Sequence, residues 1–254
     1  MALLNDEQMW QYVVNGFVMV NTDLPADFHE TIYRQTEGVF ENEGNPGNNI
    51  LPRVPEIQTI FDQPEVCGAF SSILGPDYTM HIHRHPHINK PHSKHGGWHK
   101  DSYWGYKKVR YHRNRWAMAF YYPQDVPLEL GPTELVPGSH LIQGEGQYEV
   151  ASFQRLLDDR GDMPNSHHQA ASTGSITITC YPIWHRRTAS TGEGIRNNLK
   201  YRYSRTVRPR GDWIAEPSFE IPGRGHPMDA GSGRKVADVA DMFAWLSGRE
   251  PSWN

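Results

Sequence analysis

Two residue types that commonly bind metals stand two positions apart in GGWHKDSYWG, as His99 and Asp101. The chain has 14 histidines, so one His-x-Asp match is weak evidence for a metal site by itself. In an extended strand, residues two apart point to the same side, so both side chains can reach one ion while Trp98 and Lys100 face outward. A second imidazole from elsewhere would complete the two-histidine, one-carboxylate set that binds non-haem Fe(II).

The best candidate for that imidazole is His185, which follows directly after GSITITCYPIW, a segment with the alternation of a strand. Arg196 comes eleven residues later, beyond a segment that reads as a turn between two strands. A guanidinium on the returning strand can bind a carboxylate through two parallel hydrogen bonds. This arrangement fits a keto acid that chelates iron at one end and contacts Arg196 at the other, with Arg202 and Arg205 as the alternative arginines.

A second histidine-rich segment, HIHRHPH, offers a competing site. His81, His83 and His85 alternate along it, and three imidazoles on one strand face can bind zinc or iron in a cupin-like enzyme. The other interpretations are a solvated strand edge and a strand that lends a polar group to the cavity. For that last role His83 is our candidate substrate contact, together with Trp116, whereas His140 in PGSH is expected to fix a loop.

The elements before residue 76 are predicted to be helices that buttress the rest. One helix begins after the N-cap Asn5 and ends at Gly16, and a short strand, FVMV, follows. A second helix covers ADFHETIYRQTEGVF with Phe28, Ile32, Gln35 and Val39 on one face, and a third covers PEVCGAFSSILG.

Short extended segments between turn residues follow from Tyr78, as in an antiparallel sandwich or barrel. RWAMAFYYPQDV and LKYRYSRTV are predicted strands, GSITITC a half-buried strand, and GPTELVPGSH a loop. KVADVADMFAWLSG near the end predicts a helix with an apolar stripe. We expect one domain over residues 1–254, with helices in 1–75, a β core in 76–210 and a tail with a helix in 211–254.

Two basic stretches contain the candidate site residues. Residues 81–116 carry nine Lys/Arg against one Asp, and residues 186–210 carry eight against one Glu, although the net charge of the chain is −4. This distribution predicts an electropositive cavity for small anions. Nucleic acid is the rival partner, but the rest of the chain is acidic and has no helix-turn-helix, zinc-finger or RNA-binding motif.

The composition excludes several other classes of protein. No apolar run approaches the roughly 18 residues of a membrane span, and the N-terminus lacks the pattern of a signal peptide, so we expect a cytoplasmic protein that does not bind membranes. Cys67 and Cys180 lie far apart without a Cys-x-x-Cys pair, which argues against a disulfide framework and a thiolate zinc site.

Taken together, WHKD, GPTELVPGSH and the spacing from His185 to Arg196 resemble the phytanoyl-CoA dioxygenase family of iron- and 2-oxoglutarate-dependent oxygenases. The resemblance extends from NDEQMWQYVVNGFVMV to about Val207. It implies a double-stranded β-helix, that is, a cupin-like jelly-roll barrel, in a mainly β protein with flanking helices. It also implies that His99, Asp101 and His185 bind iron and that Arg196 binds 2-oxoglutarate.

The reaction implied by the resemblance is oxidation of a small organic substrate by O2, coupled to decarboxylation of 2-oxoglutarate to succinate and CO2. Related halogenases have a small residue at the position of Asp101, so the intact carboxylate favours hydroxylation. One departure is Arg187, where the family often has a small hydroxyl residue, which points to a smaller or more acidic substrate than a fatty acyl thioester. A jelly-roll module that binds without catalysis is the alternative from another class.

Overall fold

A computed structural model describes residues 2–101, 113–141, 155–156, 159, 163, 165–219 and 239–249. Its α-helices are α1 (Asp6–Asn15), α2 (Ala26–Glu43), α3 (Ile50–Arg53), α4 (Ile57–Phe61), α5 (Pro64–Leu74) and α6 (Val239–Leu246). Short 3₁₀ turns cover Gly47–Asn49, Leu128–Leu130 and Ser139–Leu141. No helix among these residues is long and apolar enough to cross a bilayer.

The strands are β1 (Phe17–Asn21), β2 (Thr79–Asn89), β3 (Trp116–Tyr121), β4 (Thr133–Leu135), β5 (His167–His168), β6 (Ser175–Cys180), β7 (His185–Arg187) and β8 (Arg196–Ser204). They form a five-stranded antiparallel sheet in the order β1-β6-β3-β8-β2 and a three-stranded antiparallel sheet in the order β5-β4-β7. This is the mainly β architecture with flanking helices that we expected.

Helix α1 begins and ends where the sequence predicts. The Asn5 side chain accepts from the amide of Gln8, whose own side chain accepts from the amide of Asn5, so both residues form a capping box. Gly16 ends the helix with φ +85°, and a Cβ there would lie 2.4 Å from Nδ1 of His140. Nε2 of His140 donates to the carbonyl of Val13 at 2.9 Å, so this histidine ties its loop to α1 as expected.

Strand alternation divides the core in two. On β3, Ala117, Ala119 and Tyr121 pack with the helices, while Met118 and Phe120 pack in a second cluster with residues of the smaller sheet. The second cluster therefore lies between two sheets that face each other, and it consists of Met118, Phe120, Tyr122, Val126, Leu135, Ala171, Tyr181 and Ile183.

Two expectations about these elements were wrong. β6 is buried on both faces, because Thr177 and Thr179 lie between the sheets rather than in solvent. GPTELVPGSH is not a loop throughout, because its middle residues form β4 between β5 and β7. On α2, Ile32 is buried and Phe28 and Val39 pack against the same core, as predicted. His29 is buried as well, and its Nδ1 is bonded to the Tyr121 hydroxyl at 2.7 Å.

The predictions about α5, the final helix and the cysteines agree with the structure. α5 starts with Pro64 in its first turn and is followed by Gly75, as expected. The final helix is present as α6, although the first part of the predicted segment, residues 235–238, lies outside the described residues. Cys67 and Cys180 are both free thiols.

Candidate active site

The segment that carries His99 is paired with β7. The backbone amide of His99 donates to the carbonyl of His185 at 3.0 Å, and the amide of His185 donates back at 2.9 Å. Their ring centroids are 4.3 Å apart. Nδ1 of each ring donates to a carbonyl two residues earlier, Gly97 and Ile183, both at 3.0 Å. In this tautomer Nε2 of each ring keeps its lone pair for a metal.

Asp101 lies beside this pair and faces two cations. Its Oδ2 accepts from Nζ of Lys200 and, at 3.2 Å, from Nη2 of Arg202. Burial alone would raise the pKa of Asp101, but the charges of Lys200 and Arg202 hold it far below its usual value. The carboxylate is therefore ionised at neutral pH, as a metal ligand must be.

His185 is also in the protonation state that a metal ligand needs. Its burial, followed by the charges of Lys200 and His99, lowers the pKa of the His185 ring well below its usual value. The ring is therefore neutral at neutral pH, and its Nε2 is free to coordinate.

Among the described residues, one group of three or more His, Cys, Asp or Glu side chains can hold a metal ion, namely His99, Asp101 and His185. Its ligand atoms all lie within 4.8 Å of one another. Two imidazole nitrogens and one carboxylate oxygen, each oriented by a neighbour, are a donor set that fits Fe(II).

His81, His83 and His85 do not converge in the same way. Their rings instead form a ladder along β2, with centroids 5.1 Å apart between His81 and His83 and 6.3 Å between His83 and His85. The competing zinc or iron site on this strand therefore gains no support from the structure.

A cavity of about 280 Å³ is lined by the two candidate ligand histidines, His99 and His185, and by Arg196. Arg196 is the first residue of β8, as the turn prediction placed it, and only 2% of its surface is exposed. Burial lowers the pKa of Arg196 to about 10, so it remains charged at neutral pH. Its Nε has no hydrogen-bond partner among the described residues, which leaves it available to an anion in the cavity.

The two alternative arginines have other environments. Nη2 of Arg205, which directly follows β8, donates to the carbonyl of Ile73 near the end of α5. Arg202 contacts Asp101, and its guanidinium lies 5.5 Å from the ring centroid of Tyr181. Arg196 alone of the three lines the 280 Å³ cavity.

Beyond Asp101, aromatic rings and the histidine ladder adjoin Arg202. The Trp116 ring lies 5.2 Å from His81 and 5.9 Å from Tyr181, between centroids. Burial and the charge of Arg202 both lower the pKa of His83, so its ring is neutral at neutral pH. The two candidate substrate contacts, His83 and Trp116, thus lie on the same side of the site as Arg202.

Trp98 and Lys100, the neighbours of His99, do not face solvent, contrary to our expectation. Trp98 is fully buried against Trp184, and Lys100 is 6% exposed because the segment runs along β7 rather than at a free edge. Burial lowers the pKa of Lys100 to about 8. His99 itself is exposed, because it faces the open cavity.

Sequence reasoning also missed two cavity residues, Asn198 and Lys200. The pattern that could have found them is the period of two along β8, since Arg196, Asn198 and Lys200 must share one face of the strand if Arg196 points inward. Their partners across the strand pair are Phe120 for Lys200 and His87 for Asn198.

A buried ion pair supports β7 next to the site. Glu134 on β4 is fully buried and accepts from Nε of Arg186 at 2.6 Å and from the Ser166 hydroxyl at 2.6 Å. The Arg186 guanidinium also lies 4.5 Å from the ring centroid of Trp98. The residues beside His99 and His185 are therefore held together by charge as well as by the backbone.

Comparison with known proteins agrees with this geometry. The family model for phytanoyl-CoA dioxygenase (PhyH) matches residues 26–197, which is more than half of the chain. A sequence comparison with curated proteins finds no significant match.

The fold is similar to several solved structures at low sequence identity. They include EctD from S. alaskensis with 2-oxoglutarate and 5-hydroxyectoine, at 14% identity and a TM-score of 0.64 over 89% of this chain and 86% of that chain. HygX from Streptomyces hygroscopicus with nickel and 2-oxoglutarate has 16% identity and a TM-score of 0.62 over 87% and 94% of the two chains. SnoK, an alpha ketoglutarate dependent carbocyclase from nogalamycin biosynthesis, has 18% identity and a TM-score of 0.62 over 80% and 84%.

These likenesses establish a shared fold and confirm the jelly-roll prediction. The family match confirms the resemblance drawn from the sequence motifs. The chain therefore belongs to the phytanoyl-CoA dioxygenase family of iron- and 2-oxoglutarate-dependent oxygenases.

Proposed function

We propose that this protein hydroxylates a small organic anion, with His99, Asp101 and His185 as its iron ligands. One observation carries the proposal: three candidate ligand atoms lie within 4.8 Å of one another, and the two histidines among them line a cavity together with a buried arginine, Arg196. Bound iron would couple O2 reduction to the decarboxylation of 2-oxoglutarate, so that R–H, O2 and 2-oxoglutarate give R–OH, succinate and CO2.

The chain's own residues supply binding and orientation. Arg196 binds the distal carboxylate of 2-oxoglutarate, because its guanidinium is charged, buried and open to the cavity. The carbonyls of Gly97 and Ile183 fix the two imidazole rings, so their Nε2 atoms point to one ion. Phe120 and Thr133 are among the residues that close the cavity wall between the sheets.

The substrate is proposed to bind on the side of Arg202, Trp116 and His83. There one carboxylate, Asp101, faces the cations Lys200 and Arg202 and would also face a divalent metal, so positive charge is in excess. Neutral imidazoles along β2 add hydrogen-bond donors and acceptors, and Trp116 adds an apolar surface. A carboxylate, phosphate or phosphonate on a compact carbon skeleton suits these surroundings.

Hydroxylation is favoured over halogenation because Asp101 retains its carboxylate, which would bind the metal at the position that a halide would need. Carbocyclisation is the reaction named for SnoK, and epimerisation that named for SnoN, another structure of this fold. Product analysis must therefore distinguish oxygen insertion from oxidation without it.

The test begins with anaerobic addition of Fe(II) and 2-oxoglutarate to the purified protein, which should produce the weak visible charge-transfer band of the chelate. Small carboxylates, phosphates and phosphonates are then screened under ¹⁸O2 for coupled succinate release. We expect a productive anion to raise succinate release at least tenfold and to gain one ¹⁸O atom, while its neutral ester does neither.

Two variants serve as controls in this assay. His185→Ala should abolish the band, and Arg205→Gln, at an arginine outside the cavity, should leave it in place. Absence of the band from the wild-type protein, or its persistence in His185→Ala, would overturn the iron site. Coupled turnover without ¹⁸O in the product would overturn hydroxylation.

A further inference from the structure

Lys200 has a position that the proposed reaction does not explain. Its Nζ donates to Oδ2 of Asp101 and lies 3.4 Å from Nε2 of His185. Nε2 is the nitrogen that remains for a metal, since Nδ1 of the same ring is bonded to the carbonyl of Ile183. One ammonium group therefore contacts ligand atoms of two of the three metal-binding residues.

An ammonium and a divalent ion that both contact Oδ2 of Asp101 and Nε2 of His185 would repel each other. Both are cations that seek the same carboxylate and the same imidazole lone pair, and two positive charges a few ångströms apart in a poorly solvated site repel strongly. Lys200 is buried, so water screens this repulsion weakly. A metal that binds all three ligands must therefore displace the ammonium or bind more weakly.

The cavity offers space into which the Lys200 ammonium can move. Lys200 lines the same cavity of about 280 Å³ as Arg196, and its flexible four-carbon stem can turn Nζ along that cavity. Phe120, whose ring centroid lies 5.4 Å from Nζ, packs beside this stem. A group moved in this direction enters the space between the metal ligands and Arg196, where a keto acid would lie.

We propose that Lys200 occupies the metal's place in the metal-free protein and that metal binding displaces its ammonium toward 2-oxoglutarate, which it then binds together with Arg196. The proposal rests on the iron and co-substrate site described above. It makes Lys200 a positioning residue that links the two binding steps, because the same cation opposes the metal and favours the dianion that follows it.

The balance of charge in the cavity determines whether metal binding strengthens or weakens co-substrate binding. In the metal-free protein Lys200 offsets the charge of Asp101 and keeps the ligand atoms close together. After metal binding, the displaced ammonium leaves uncompensated positive charge in the cavity, which a dicarboxylate neutralises. Metal binding should therefore precede and strengthen co-substrate binding.

The test measures equilibrium binding of Mn(II), which substitutes for Fe(II) without reacting with O2, and then of 2-oxoglutarate to the Mn(II)-loaded protein. In Lys200→Met, and in Lys200→Gln as a second neutral variant, we expect Mn(II) to bind at least tenfold more tightly and 2-oxoglutarate at least tenfold more weakly than in the wild type. Unchanged or weaker Mn(II) binding in both variants would overturn the displacement. Tighter Mn(II) binding with unchanged 2-oxoglutarate affinity would overturn the link to the co-substrate.

Arg202→Met is the matched control, because Arg202 contacts the same Oδ2 of Asp101 without a recorded contact to His185. An equal gain in Mn(II) affinity in Arg202→Met would mean that nearby charge, not occupation of the site, is responsible. Crystal structures of the wild type with and without Mn(II) give a test that needs no variant: Nζ of Lys200 must leave Asp101 when Mn(II) binds. Failure of the underlying iron site would look different, since His185→Ala would then leave Mn(II) affinity unchanged.

Discussion

His99 and His185 exchange both of their backbone hydrogen bonds, at 3.0 and 2.9 Å, across two segments that are far apart in sequence. This pairing fixes the separation of the two imidazoles before any metal arrives. It also explains why the ligand rings can meet although His99 lies outside the regular strands. The two histidines of the proposed metal site are thus held by the backbone pairing of the smaller sheet.

Loss of either ring should remove most of the metal affinity. We expect His99→Ala and His185→Ala each to weaken Mn(II) binding at least a hundredfold, because each leaves a two-ligand site. His95→Ala is the matched control, since His95 is an exposed histidine four residues from His99 and outside the ligand group. Isothermal titration calorimetry measures all three, and an equal loss in His95→Ala would contradict the assignment.

Arg196→Ala should weaken the binding of 2-oxoglutarate and leave the affinity for the metal unchanged. Loss of a charge-assisted pair costs about 1.5–3 kcal/mol, so we expect the KM for 2-oxoglutarate to rise roughly 10- to 150-fold. Mn(II) affinity without 2-oxoglutarate should not fall. Arg205→Gln removes an arginine that bonds to α5 instead, and a similar rise in KM there would contradict the role given to Arg196.

Glu134→Ala should destabilise the fold strongly. It removes the buried carboxylate that accepts from Nε of Arg186, and breaking a buried pair costs about 3–5 kcal/mol. Glu30→Ala removes an exposed partner of Arg34 within α2 and should change the free energy of unfolding by less than about 1 kcal/mol. Urea unfolding followed by circular dichroism compares the two, and equal losses would be inconsistent with the buried pair.

His140 should make stability depend on pH. Burial lowers its pKa from 6.5 to about 4, so folding favours the neutral ring. Its contribution is complete above pH 6.5 and is lost as the pH falls through the folded-state value near 4, a difference of about 3 kcal/mol. Unfolding free energies of the wild type and His140→Asn at pH 7 and pH 4 test this. The variant should lose less stability on acidification, and parallel losses would contradict the prediction.

Gly131→Ala should destabilise the chain near the cavity. Gly131 has φ +68°, and a Cβ there would lie 2.2 Å from Nδ2 of Asn89 and 2.7 Å from the carbonyl of Thr188. Backbone strain and overpacking together should cost more than about 2 kcal/mol. Gly38→Ala, within α2 and with nothing within 4 Å of the added Cβ, should instead stabilise by about 0.5–1 kcal/mol. Thermal unfolding should shift in opposite directions for the two variants.

Local signals in the sequence were sufficient for several elements. The cap at Asn5 and the glycine at residue 16 bound α1, because both act through hydrogen bonds within a few residues. Alternation along β3 separated the residues that face the helices from those between the sheets. The turn residues after His185 placed Arg196 at the start of the next strand, β8, because Gly and polar residues mark the connection locally, although β7 and β8 belong to different sheets.

Features that depend on distant partners were not accessible in this way. Trp98 and Lys100 are buried because their segment lies along β7, and no pattern around His99 encodes that neighbour. Thr177 and Thr179 read as solvent-facing, yet they lie between two sheets whose packing only the whole fold determines. The contact of Lys200 with Asp101 joins residues 99 positions apart.

Strand β8 directs Arg196, Asn198 and Lys200 into the cavity, while Leu199, Tyr201 and Tyr203 pack with the helices. Successive inward residues on a strand are about 6.6–6.8 Å apart, so each position along β8 corresponds to a fixed distance along the site. In the proposed site the first residue of β8, Arg196, contacts the co-substrate, whereas Arg202 and the start of β2 lie on the substrate side. Substitutions near Arg202 and the start of β2 would therefore change which substrate such an enzyme binds, and the contact of Arg196 with the keto acid would be preserved.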